Sequence, residues 1–190
     1  MKGILFKPWK IAAIAKSGTD FEWQTRRVIK PQPFLGNKFQ NYEPLVGKSR
    51  YQFGETVYIK EACCRECQGI DGIEDACYKT DEDNGNDILI NCLQVKWRSP
   101  LFMPAWAARY FIKITDVRPE RLQEITPKDC LAEGIEPNFV EPSIEGRNFW
   151  DTEMLGYFER LWDSINPKYP WASNCWVWVY SFKFTPEGRD

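Results

Sequence analysis

A chain of 190 residues is long enough for one domain that buries roughly 70% of its unfolded surface, and its 25 basic and 27 acidic side chains leave a net charge of -2. That balance excludes the general positive field behind non-specific nucleic-acid binding, so any such contact must be local. The absence of histidine excludes Ser-His-Asp and Cys-His catalysis and every His-containing zinc site, leaving Glu, Asp, Lys, Tyr or Cys as a general base.

The first residues carry no long apolar run, and no later segment approaches the ~20 apolar residues of a membrane span, so the reading is a cytoplasmic protein with no membrane contact. Seven cysteines, an odd number, favour free thiols or metal ligation over a disulfide framework.

In chain order, a short strand at 3–6 precedes a helix of about two turns that opens at Pro8, carries Ile11, Ala12, Ile14 and Ala15 on one face, and stops at Ser17-Gly18. Next comes Trp23-Gln24-Thr25-Arg26-Arg27-Val28-Ile29-Lys30-Pro31. Read as an extended run, it sets Thr25, Arg27 and Ile29 on one face and Arg26, Val28 and Lys30 on the other, so the two guanidinium groups cannot share a role. One of them is expected to face a cleft, where an Arg fork beside a hydroxyl can hold a phosphate or carboxylate.

Residues 31–54 lack periodicity and read as a long loop, 57–62 alternate as a strand, and the polar, Gly-rich stretch 63–92 reads as a Cys-containing insertion with a strand at 76–80. Strands are expected again at 93–97 and 110–117. Thr126 as N-cap, Pro127 in the first turn and Gly134 as a stop define a short helix. The run 151–165 spaces Met154, Leu155, Phe158, Leu161, Trp162 and Ile165 as a core-facing helix. The last segment puts Trp176, Trp178, Tyr180, Phe182 and Phe184 on one face of a strand, which is expected to be core rather than a base-stacking platform.

Four thiolates, Cys64, Cys67, Cys77 and Cys92, could close a tetrahedral structural zinc site in the insertion; otherwise Cys63 and Cys77 are small strand residues and the rest free thiols. No cofactor is otherwise required. Glu61 and Glu133 are the carboxylates placed at element ends where burial could make one a general base. Trp97, Trp106 and Arg109 lie in a Pro-rich loop that could stack a base beside a cation, or could cover one end of a barrel.

Several of these segments, Gln24-Thr25-Arg26-Arg27-Val28-Ile29-Lys30-Pro31, Tyr58-Ile59-Lys60-Glu61, Met103-Pro104-Ala105-Trp106, Ile114-Thr115-Asp116-Val117-Arg118 and Trp176-Val177-Trp178-Val179, resemble phage and prophage proteins of the ASCH family, in the same order along nearly the whole chain. The resemblance implies one α+β domain over 1–190, a PUA-like, mostly antiparallel β-barrel with flanking helices, and a cleft for RNA or a nucleoside or nucleotide. It also implies, from small relatives that hydrolyse N4-acetylcytidine, that Thr25 and Glu133 match catalytic positions and Arg26 the cation that follows. The family lysine has no counterpart, since Glu22 stands three residues before Thr25; Lys10 or Lys16 would have to replace it. Three functions follow as expectations: a nucleotide- or RNA-binding module held by Arg26 or Arg27 with Trp106 and Arg109, an amidohydrolase using Thr25, Glu133 and Lys10, and a phage structural or host-interaction scaffold.

Overall fold

A computed structural model describes residues 1–33, 46–64, 77–79, 97–135 and 147–185. The architecture is α+β. Strands β1 (Lys2–Leu5), β2 (Glu22–Val28), β3 (Thr56–Lys60), β4 (Cys63–Cys64), β5 (Cys77–Tyr78), β6 (Phe111–Arg121) and β7 (Trp176–Thr185) are joined by helices α1 (Pro8–Lys16), α2 (Pro127–Ala132) and α3 (Arg147–Ile165). Five strands form a sheet in the order β1-β3-β6-β7-β2, and β4 with β5 forms a separate two-stranded ribbon. β1 runs parallel to β3, while β3 with β6 and β2 with β7 are antiparallel. Among the described residues the sheet is therefore mixed and open, with β1 and β2 at its edges, where the family resemblance led us to expect a mostly antiparallel barrel. None of the described helices is long and apolar enough to cross a membrane.

The chain divides into two compact units. The first comprises residues 1–21, 56–113 and the end of the chain. Its cluster of Tyr58, Cys63, Met103, Ala107, Ala108 and Phe111 is fully apolar apart from the Tyr58 hydroxyl, which donates to the Met103 carbonyl. Gly3 faces Tyr58 in the parallel register. A Cβ there would lie 2.5 Å from Lys60 Cε and 2.6 Å from Tyr58 Cζ, so only glycine lets the two side chains cross this strand.

The second unit comprises residues 22–55 and 114–183. Its core gathers Leu122, Ile125, Cys130, Met154, Phe158, Trp162, Val177 and Val179. Met154, Phe158 and Trp162 recur at four-residue spacing on α3, as the periodicity predicts, whereas Ile165 at the end of the stripe is exposed. Strand β7 departs from the expectation of a single buried face: every residue from Trp176 to Phe182 is buried, the valines and Ser181 as well as the aromatics. β6 runs to Arg121, past the expected end at 117 and through Pro119. Its register with β3 covers Phe111 to Lys113, so Pro119 removes no hydrogen bond from that pair. The strand expected at 93–97 falls almost wholly outside the described residues, as do most of the 63–92 insertion and part of the 31–54 loop.

Candidate functional site

Strand β2 pairs with β7 so that Thr25 faces Tyr180, Arg26 faces Val179 and Arg27 faces Trp178. Alternation sends Arg26 to the side where Val179 belongs to the second unit's core and where α2 packs, and sends Thr25 and Arg27 to the other.

The Arg26 side chain has no exposed surface. Its Nη2 donates to Glu120 Oε1 at 3.0 Å and lies 3.4 Å from Asp129 Oδ2, while Nη1 reaches Glu133 Oε1 at 3.5 Å and Gln24 Oε1 at 3.3 Å. Glu120 also accepts from Arg118 Nε at 3.3 Å, and Arg118 Nη1 donates to Asp116 at 2.8 Å. Two guanidinium groups thus alternate with four carboxylates across β2, β6 and α2. Helix α2 is fixed for this by its own cap. Thr126 Oγ1 accepts the Asp129 N–H, and Asp129 Oδ2 accepts the Thr126 N–H at 2.9 Å. Burial alone would raise the Asp129 carboxyl, but the Thr126 hydrogen bonds and the Arg26 and Arg118 charges hold it below its ordinary value. Gly134 follows at φ 88°, the left-handed conformation that ends the helix and leaves Glu133 turned toward β2. Beside it, burial pushes the Cys130 thiol up to about 12, which makes it an inert core group.

The opposite face has a different character. Arg27 is half-buried, and burial lowers its guanidinium below the usual arginine value; the Glu133 carboxylate and the Tyr51 and Tyr180 phenols act to raise it, and the Arg50 charge lowers it further. The Tyr51 and Tyr180 rings meet edge-on at 5.2 Å, and the Arg50 guanidinium lies 5.5 Å from the Tyr51 ring centroid. Thr25 is buried at 4% exposure beside them in the register. This face brings together a hydroxyl, two cations and two phenols.

The remaining sequence candidates are placed as follows. Lys10 is buried on α1 in the first unit, its ammonium 5.3 Å from the Phe6 ring centroid. Arg109 is engaged within its own unit: Nε and Nη2 donate to the two oxygens of the fully buried Glu61 at 2.9 Å each, and the guanidinium lies between Tyr78 and Tyr110 at 4.0 and 4.7 Å from their centroids. The fork that the sequence offered to a ligand is closed on Glu61, which also removes Glu61 as a free base. Trp106 is 59% exposed. Of the metal candidates, Cys64 is buried in β4, Cys77 lies in β5, and Cys67 and Cys92 are outside the described residues. No metal-ligating group of three or more forms among the described residues.

The sequence reading passed over Glu120, Asp129, Arg118 and Arg50. Only Asp129 carried a local signal, as the third residue after the Thr126 cap. Comparison with protein-family models, curated proteins and solved structures finds no match.

Proposed function

We propose that this chain is a PUA-like module of the ASCH kind that holds a nucleotide or a short single-stranded RNA on the face of β2 formed by Thr25 and Arg27. One observation carries the reading: Thr25 and Arg27 share one face of β2, where the Tyr51 and Tyr180 rings meet and a second cation, Arg50, stands near. An anionic group suits a face that carries two cations, whereas Arg26 is already enclosed by three carboxylates. Thr25 adds a directional hydroxyl on the same face, and β2 is an edge strand, so this face borders the open side of the sheet. The PUA-like kinship belongs to the same proposal and rests on the order of the motifs along the chain, with the sheet open among the described residues.

Titration with cytidine monophosphate and a short RNA tests it. The wild type is expected to bind both, and Arg27→Gln to bind each about 10- to 100-fold more weakly, the worth of a charge-assisted hydrogen bond of about 1.5 to 3 kcal/mol. Its melting temperature should stay within a few degrees. Equal affinity in the variant, or no wild-type binding at millimolar nucleotide, would overturn the reading.

A further inference from the structure

Opposite Thr25 in the register of β2 with β7 stands Tyr180, whose side chain is almost wholly removed from water at 1% exposure. A phenol buried so fully must satisfy its hydroxyl from within the protein. Its partners all come from one short turn of the second unit: the Ser49 side chain and the backbone of Arg50 and Tyr51 hydrogen-bond to it.

The same turn is tied from its other side. The Ser49 N–H donates to the Val46 carbonyl at 3.0 Å, and the Ser49 hydroxyl donates to the Tyr51 carbonyl. Gln52 Nε2 reaches the Ser49 carbonyl at 2.8 Å, the Ser49 hydroxyl at 3.0 Å and the Val46 carbonyl at 3.2 Å. Just beyond, the Gly54 N–H donates to the Ile114 carbonyl and the Ile114 N–H to the Glu55 carbonyl, which anchors the segment on β6. Ser49 and Tyr51 are buried, and Arg50 between them is exposed. The buried groups of the turn therefore flank a single outward cation. The Arg50 guanidinium lies 5.5 Å from the Tyr51 ring centroid, and that ring meets Tyr180 edge-on at 5.2 Å.

We infer that Tyr180 is a positioning residue for the β2 face: through its hydrogen bonds to the 49–51 turn and its contact with the Tyr51 ring, it places Arg50 as a second cation for the anion held by Arg27. This rests on the reading above and adds to it a residue that acts on the ligand through another. An arginine on an unheld loop gives up side-chain and backbone freedom when it meets an anion. On a turn fixed beforehand most of that cost has been met in folding, so an exposed guanidinium becomes an effective contact.

Titration of cytidine monophosphate into Arg50→Gln, Tyr180→Phe and the double variant tests this. Arg50→Gln is expected to weaken binding about tenfold, the worth of one charge-assisted hydrogen bond, and Tyr180→Phe to weaken it by about three- to tenfold. The double variant should bind no more weakly than Arg50→Gln alone, because a residue that acts through Arg50 has nothing further to lose once that guanidinium is gone. A tyrosine with a purely structural role would add its loss to that of Arg50→Gln, so additive losses overturn the inference, as does wild-type affinity in Tyr180→Phe. If Tyr180→Phe fails to fold, Ser49→Ala loosens the same turn with the core phenol in place and is expected to give the same non-additive cycle with Arg50→Gln; additivity there overturns the inference equally. Wild-type affinity in Arg50→Gln with Arg27→Gln impaired overturns the inference and leaves the β2 reading standing. Absence of wild-type binding overturns both.

Discussion

Adjacent arginines on a strand are separated by a half-turn of the chain, and here that half-turn sends them into different surroundings. Arg26, with no exposed surface, meets Glu120, Asp129 and Glu133. Removing it would leave three carboxylates facing one another in a buried place, a larger penalty than the worth of any single pair. Arg26→Ala should therefore cost about 3 to 5 kcal/mol in denaturant melts; a loss below about 1 kcal/mol would show the network to be dispensable. The period-two pattern was enough to place the two arginines on opposite faces. Which face held the acids was not readable, because Glu120 and Glu133 lie 94 and 107 residues from Arg26 and only the fold brings them together. Glu22, standing where the family resemblance calls for a lysine, has its own occupation: its carboxylate accepts from the Thr115 hydroxyl at 2.7 Å.

Elements were legible where their signals are local. Helix α2 has its Thr126 cap, Pro127 and Gly134 within nine residues, so its bounds followed from turn chemistry alone. The same cap makes the helix sensitive to acid. The Asp129 carboxyl is lowered in the folded protein, so the folded state binds its proton less readily than the unfolded chain does. Its stabilising contribution is complete above the ordinary aspartate value of about 3.9 and is lost as pH falls through the lower folded value. Asp129→Asn should melt below the wild type at neutral pH, and the gap should narrow on acidification below about pH 4. Parallel melting curves against pH would contradict this. Strand β7 was legible as a strand but not as a doubly covered one. Its alternating large aromatics drew attention to one face, while Val177 and Val179 on the other made the run continuously apolar, the mark of a strand buried on both sides.

For the whole molecule, composition and element order gave the α+β class, but the pairing of strands distant in sequence decided the sheet. Among the described residues the parallel β1–β3 pair and the β2 edge produce an open mixed sheet in place of the expected barrel. The near-neutral charge of -2 confines any anion contact to local cations. The decisive measurement is a crystal structure of the protein grown with cytidine monophosphate. The account predicts a nucleotide oxygen within hydrogen-bond distance of the Arg27 guanidinium, on the Thr25 side of β2, with Arg26 still held by Glu120, Asp129 and Glu133. A nucleotide bound instead by Arg26, or one bound at full occupancy away from Arg27, would contradict it.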